Sequence, residues 1–249
     1  MTVLTTADLP EGVTEGLYSF GIVFEFVVFS FVFLIVILSI LKLQERGTLL
    51  NKLMVLICIG IDCALFATAF GKFGVLFLQW PYNLGSAFDN VALMFIFSIN
   101  CIFLLFTLEM FTQMEPKRKY LLFIVYVLFY SLAYIENVLS FPEIGMLANI
   151  IHLLLSFFLY SIMMILVRQN LKDIEQKEHR LGIWFIFLTA LFMLLFFILT
   201  ATSILLIYSG ILSPFNLLYF LSWVFMVLGL FLFYTGFFLP TWVKNLVKE

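Results

Sequence analysis

Charged residues are scarce in this chain. Asp, Glu, Lys and Arg make up 11% of its 249 residues, whereas a soluble globular domain typically has about 25%. Hydrophobic residues make up 64%. This composition excludes a water-soluble globule and makes the lipid bilayer the relevant solvent. The chain also lacks a basic patch with interleaved aromatic residues on a soluble surface, so we do not expect nucleic acid as a partner.

Residues typical of catalytic and metal sites are few. The two histidines are His152 and His179, which do not suffice for a His-rich zinc site within the membrane. The motifs HExxH and GxSxG and a phosphate-binding glycine loop are missing. We therefore expect neither an enzyme nor a resident metal.

Cysteine and lysine are missing from two informative places. The three cysteines, Cys58, Cys63 and Cys101, all lie in apolar stretches, so we expect no disulfide framework and assign them to packing. The last apolar stretch contains no lysine. A retinal Schiff base needs that amine, so we expect no such chromophore and no other cofactor.

What the chain does have is long apolar stretches. A helix needs about 20 mostly apolar residues to cross the hydrocarbon layer, and continuous runs without alternation favour helices over a barrel. Seven stretches qualify. They predict one all-α domain over residues 1–249, a bundle of seven transmembrane helices at residues 17–41, 53–73, 88–111, 120–139, 146–167, 181–208 and 216–240.

The basic residues predict an orientation. Twelve of the 13 Lys and Arg residues lie in alternate gaps and in the carboxyl-terminal tail, and only Lys72 lies on the other side. Cytoplasmic loops carry the excess of Lys and Arg. We expect an external amino terminus, a cytoplasmic carboxyl terminus and a location in the plasma membrane. Residues 1–16 contain no Lys or Arg, so we expect the first segment to be retained rather than cleaved as a signal peptide.

The gaps predict loops of unequal length. The longest are residues 74–87 on the outside and 168–180 on the cytoplasmic side. In the outer loop, Trp80 suits an anchor at the membrane interface.

Polar residues within the spans form stripes at helical spacing. Asn149, His152, Ser156 and Tyr160 share one face of the fifth span. Ser, Thr and Asn side chains often hold membrane helices together, at about 0.6 kcal/mol each. The alternative is a ligand pocket, because many of these residues belong to the outer half. As candidate pocket residues we take Asn149, His152, Asp89, Asn100, Tyr219 and Glu25.

Two further carboxylates require an explanation. Asp62 lies in the middle of the second span and Glu109 near the cytoplasmic end of the third. The second span also has a stripe of small residues, from Gly60 to Gly71, which permits another helix to approach closely. Asp62 points away from that stripe, so we expect it to face the bundle interior as a hydrogen-bond donor, a proton or cation site, or a conformational switch. Glu109 is the second candidate for such a switch.

The end of the seventh span carries a resemblance. Gly236, Pro240, Trp242 and Lys244 occur in the run YTGFFLPTWVK, which resembles the exit sequence of the seven-helix sensor modules of prokaryotic histidine kinases and cyclic-dinucleotide enzymes. The resemblance covers the helix plan and about ten residues and implies a sensory function. Unlike those sensors, this chain is expected to have no effector domain after this run, so we expect a separate cytoplasmic signalling partner.

Three classes of function remain open. The first is a receptor-like sensory protein that binds an apolar or amphipathic ligand in an outward-facing pocket. The second is a transporter of a small solute, an ion or protons, which predicts a polar path past Asp62 and usually broken helices. The third, an intramembrane enzyme, lacks a nucleophile or metal cluster. Membrane lipids are expected partners in every case.

Overall fold

The computed structural model describes residues 14–45, 47–138, 142–172, 174–213, 215–241, 243 and 245, without the side chains of residues 15, 82, 83, 86, 133–138, 142–149 and 208. These ranges contain seven helices and no strand. The helices are α1 (Glu15–Glu45), α2 (Leu49–Phe77), α3 (Tyr82–Phe111), α4 (Pro116–Val138), α5 (Pro142–Asn170), α6 (Lys177–Tyr208) and α7 (Leu217–Phe238). Each predicted span coincides with one of them.

Six of the seven helices, all except α4, are long and apolar enough to cross a membrane within the described residues. Large apolar side chains also face outward, such as Phe31, which is 58% exposed, and Leu121, which is 62% exposed. In water such surfaces would be unfavourable, whereas lipid chains solvate them well. The chain is therefore an all-α integral membrane protein.

Consecutive helices pack antiparallel and close into a ring. On α1 and α2, Glu25 pairs with Lys72 while Ser39 contacts Cys58. The helix α7 returns to α1 and completes the ring. Across the ring, α3 contacts α7 through the fully buried rings of Phe103, Phe106 and Phe233.

The small residues of α2 face α3, as their spacing indicates. A Cβ added to Gly71 would lie 2.6 Å from the carbonyl oxygen of Gly85, and one added to Gly60 would lie 2.7 Å from Ile99. At Gly71 the two backbones approach closely, and at Gly60 the side chain of Ile99 occupies the space that a Cβ would need. This close contact lets two long helices pack along most of their length.

The predicted outer loop at residues 74–87 is wrong. The helices α2 and α3 together cover all of it except residues 78–81. Trp80 makes the short turn possible, because its N–H donates to the carbonyl of Gly74 at 3.1 Å and its ring packs directly on that glycine. The same ring stacks on Phe88 with centroids 5.6 Å apart. Helical hydrogen bonding and aromatic packing therefore continue beyond the apolar stretch.

The glycine of the exit sequence has a packing role. Gly236 on α7 crosses Gly182 on α6, and a Cβ on either would lie 2.6 or 2.7 Å from the carbonyl oxygen of the other. Two residues beyond Gly236, α7 ends, with Leu239 in the left-handed conformation at φ 45°. Pro240 follows, as is common after a helix end. Trp242 and Lys244 lie outside the described residues.

We expect Gly236→Ala to destabilise the bundle by about 1–3 kcal/mol, the usual cost of overpacking. The added methyl would collide with backbone, which cannot move aside without separating α6 from α7. Gly229→Ala on the same helix is the matched control, because its Cβ would lie 3.4 Å from Phe192, an ordinary contact. Thermal unfolding in detergent measures both, and equal melting temperatures would contradict the backbone contact.

Candidate functional site

One end of the bundle contains a cavity of about 300 Å³ to which α1, α2, α3, α6 and α7 all contribute. We call it the Lys72 cavity. It lies where α1, α3 and α7 begin and where α2 and α6 end. Its lining residues are Tyr18, Thr68, Lys72, Val75, Gly85, Asp89, Thr200, Ser203, Ile204, Ile207, Phe215, Tyr219 and Trp223.

Lys72, one of the lining residues, belongs to a buried ion pair. Glu25 on α1 is fully buried and pairs with Lys72 on α2, whose side chain is 16% exposed. The hydroxyl of Tyr219 on α7 also donates to Glu25, and Lys72 Nζ lies 3.2 Å from the Tyr219 oxygen. Three helices therefore meet at one carboxylate. Its second oxygen, Oε2, has no hydrogen-bond partner among the described residues.

Aromatic rings surround the ammonium of Lys72. Its nitrogen lies 5.4 Å from the ring centre of Phe215 and 5.6 Å from that of Tyr219. Phe215 precedes α7 and has a φ of 62°, which is unusual for a bulky residue. Its ring packs against Gly21 on α1, where a Cβ would lie 2.5 Å away. The glycine thus makes room for the ring that covers the charge.

Asp89 on α3 also lines the cavity. Its side chain is exposed and forms no ion pair among the described residues. It nevertheless interacts electrostatically with both Lys72 and Glu25. Lys72 is therefore in contact with one carboxylate, that of Glu25. A second carboxylate, that of Asp89, lies nearby and has no ion-pair partner among the described residues.

Hydroxyl groups of α6 complete the lining. Ser203 accepts a hydrogen bond of 2.8 Å from Asn216, whose side-chain oxygen in turn caps α7 by accepting from the N–H of Tyr219. The hydroxyl of Thr200, one turn away on α6, is buried and has no partner among the described residues. The side chain of Thr200 therefore borders the cavity, and its hydroxyl has unused hydrogen-bonding capacity within the described residues.

Asn100 belongs to a separate, fully buried cluster. Its amide nitrogen donates to Tyr130 at 2.8 Å and to Ser156 at 3.0 Å, and its oxygen accepts from Tyr160 at 3.0 Å. These bonds join α3, α4 and α5. Asn100 also borders a cavity of about 30 Å³, about the volume of a single water molecule. Its contacts are those of a residue that holds helices together.

His152 lies beside this cluster rather than in the Lys72 cavity. Its ring packs against Phe97, Tyr130 and Phe197, with the nearest centroid 4.7 Å away. Its Nδ1 has no hydrogen-bond partner among the described residues. Asn149 lies in α5, but its side chain is outside the description. The structure thus brings Glu25, Asp89 and Tyr219 together and places Asn100 and His152 elsewhere.

The two candidate switch residues differ in environment. Glu109 pairs with Lys119 at the start of α4, at 3.2 Å; Lys119 is buried and Glu109 is half-buried. Asp62 is 8% exposed, and its Oδ1 is buried without a partner among the described residues. It shares a face of α2 with Cys58, which contacts Ser39 of α1 at 3.7 Å. Asp62 therefore lies towards α1 rather than in the centre of the bundle.

Lys72 is the cavity residue that the sequence alone did not predict, because its pattern placed Lys72 on the outer side without assigning it to the pocket. A usable signal exists, because it is the sole basic residue on its side and lies in the part of α2 that an antiparallel hairpin brings level with Glu25 of α1. A group of three or more His, Cys, Asp or Glu side chains able to hold a metal ion does not occur among the described residues.

The opposite end of the bundle contains an open cleft of about 850 Å³. We call it the Met110 cleft. The end of α3, the start of α6 and the end of α7 border it. Its polar residues are Glu175, Gln176 and His179.

The fold and the Lys72 cavity define a helical integral membrane protein with a charged, aromatic-walled cavity at one end of the bundle. Comparison with known proteins adds no relative, because no protein-family model, curated protein or solved structure matches the chain.

We expect Lys72→Met to destabilise the protein by about 3–5 kcal/mol, because it leaves the carboxylate of Glu25 buried without its cation. The double variant Glu25→Gln/Lys72→Met removes both charges and should recover most of that loss. Lys42→Met is the control: Lys42 pairs with Glu45 at 2.7 Å and both side chains are exposed, so the loss should be at most about 1 kcal/mol. Detergent unfolding curves measure all three, and similar losses for both lysines would contradict the buried pair.

We expect Asn100→Leu to cost about 2 kcal/mol, the sum of three interhelical hydrogen bonds of average strength in a membrane. Asn90→Leu provides the comparison, since Asn90 is exposed on the same helix and its replacement should change little. The same unfolding assay measures both. Equal stability of the two variants would show that the Asn100 cluster does not hold α3, α4 and α5 together.

Proposed function

We propose that this protein is a receptor-like or sensory protein of the plasma membrane, with seven transmembrane spans, an external amino terminus and a cytoplasmic carboxyl terminus. It binds an amphipathic small molecule in the Lys72 cavity and passes the signal to a separate cytoplasmic protein. The cavity itself is the observation that carries this proposal. Seven-helix sensor modules of prokaryotes, which the exit sequence resembles, provide the analogy.

The size and lining of the cavity support ligand binding. Small-molecule sites have volumes of about 300–1,000 Å³ and mostly apolar walls with a few polar groups. The Lys72 cavity measures about 300 Å³ and combines four aromatic residues with Lys72, Asp89, Thr200 and Ser203. Helix packing alone does not require an unpaired carboxylate and a hydroxyl without a partner beside an open volume.

Charge distribution supports an external position for this cavity. The basic residues of the loops cluster at the other end of the bundle, which the positive-inside tendency assigns to the cytoplasm. There the Met110 cleft lies beside α6 and α7, and both helices also line the Lys72 cavity. A change in the packing of α6 against α7 at one end therefore has a direct structural route to the other.

Continuous helices favour a receptor over a transporter. Transporters often bind substrate at mid-depth between half-helices that are interrupted there. All seven helices run without interruption through the described residues. Between the cavity and the cleft, Phe103, Phe106 and Phe233 are buried and fill the bundle. The transporter remains the second candidate, because cavities at opposite ends also suit alternating access.

Filling the cavity tests ligand binding. We expect native mass spectra of the mildly extracted wild-type protein to contain a stoichiometric bound mass that Thr200→Phe removes, because the ring would occupy the cavity. Thr202→Phe is the matched control: Thr202 is exposed on the same helix, and this variant should keep the bound mass. A mass retained in both variants, or lost in both, would contradict a ligand in this cavity.

A distance measurement then separates the two candidate functions. Spin labels at Gln113 and Lys177, both exposed at the cleft end, should report a ligand-dependent distance change that Thr200→Phe abolishes. Counterflow of the identified ligand in reconstituted vesicles, without a partner protein, would instead support the transporter and overturn the sensory role.

A further inference from the structure

The charges around the Lys72 cavity are unequal in number. Lys72 and Asp89 line the cavity with formal charges of +1 and −1, and Glu25, which pairs with Lys72 outside the lining, adds a second negative charge. The three groups interact electrostatically. Without a ligand the three groups therefore carry a formal excess of one negative charge, and Asp89, the exposed carboxylate, lines the cavity.

We infer that the ligand is an organic ammonium ion with a single positive charge and an apolar body, held by the carboxylate of Asp89 against the aromatic wall of the cavity. This inference rests on the proposed function, since it specifies the ligand of that same cavity. It assigns Asp89, rather than Lys72, as the residue that selects the charge of the ligand.

An anionic ligand fits the same groups poorly. Lys72 already donates to Glu25 and to Tyr219, and the rings of Phe215 and Tyr219 lie beside its ammonium. An anion approaching Lys72 would therefore have to displace Glu25 or sit next to two carboxylates. Repulsion between like charges at short distance is strong away from water. Two of the three N–H donors of Lys72 are thus used within the protein, and its charge is already paired with that of Glu25.

A cationic ligand meets complementary groups instead. Asp89 is exposed and has no ion-pair partner among the described residues. Tyr18 and Trp223 present additional aromatic surface to the cavity, and ring faces attract ammonium groups, most strongly those of Trp. Val75, Ile204 and Ile207 leave apolar surface for the body of the ligand. The hydroxyl of Thr200, which has no partner among the described residues, adds a polar group beside the cavity.

Three probes of nearly equal shape test the charge preference. Benzyltrimethylammonium is the cation, neopentylbenzene is its neutral carbon analogue and phenylmethanesulfonate is the anion. Binding is measured by equilibrium dialysis against the full chain in nanodiscs of uncharged phosphatidylcholine. For each probe, the binding that remains in Thr200→Phe is subtracted, because it reports adsorption to lipid rather than occupancy of the cavity.

We expect the cation to bind saturably and at least ten times more tightly than either analogue. Asp89→Asn should weaken cation binding about tenfold and leave neopentylbenzene unchanged. The double variant Asp89→Asn/Asn90→Asp keeps the total charge but moves it to the next position of α3, which is not part of the lining. It should bind the cation as weakly as Asp89→Asn, whereas restored binding would show that only the overall charge matters.

The outcomes separate the two proposals. If the neutral or anionic probe binds in a Thr200-dependent manner as tightly as the cation, the cavity is a ligand site but the charge inference is wrong. If Asp89→Asn does not change the affinity for the cation, Asp89 does not select the charge. If all three probes show only the binding that also occurs in Thr200→Phe, both the charge inference and the ligand site fail.

Discussion

An ionised side chain inside a membrane needs a partner, and in this bundle the pair of Glu25 and Lys72 meets that requirement. The pair joins α1 to α2, and the hydroxyl of Tyr219 adds α7. A second contact, between Ser39 and Cys58, lies 14 residues later in α1 and 14 residues earlier in α2. Two contacts at equal spacing fix the register of α1 against α2, because a sliding motion would break both. The position of α7, and with it the aromatic wall of the cavity, follows from that register.

The polar residues of the bundle serve two purposes that their chemistry distinguishes. Around Asn100 every amide group has a partner, and the hydroxyls of Tyr130, Ser156 and Tyr160 bind to it. Around the Lys72 cavity, by contrast, Asp89 has no ion-pair partner and the hydroxyl of Thr200 has no hydrogen-bond partner among the described residues. Polar groups whose hydrogen bonds are all formed stabilise a helix interface, whereas polar groups without partners next to a cavity are able to bind a ligand. The completeness of the hydrogen bonding, not the polarity itself, separates the two regions.

Much of the architecture could be predicted because it depends on local sequence. Apolar stretch length located all seven helices, and residue spacing placed Gly60 and Gly71 on one face, which contacts α3. The grouping of Glu25, Asp89 and Tyr219 was also within reach, since all three lie at the same end of the bundle. The separation of His152 and Asn100 from them was not, because it depends on how α4 and α5 rotate against α3. Likewise, the pairing of Lys72 depends on contact between helices rather than on a pattern within one helix.

The spacing of the pair along the chain has a consequence for membrane insertion. Lys72 follows Glu25 by 47 residues, whereas Tyr219 follows it by 194. During synthesis α1 therefore enters the bilayer with an acidic group that lacks its partner until α2 arrives. From that moment the first two helices can associate as a hairpin with its charge already compensated. The helix α7 is made after the other helices that line the cavity, and its arrival covers the pair and closes the ring, so the cavity is complete only once α7 has been inserted.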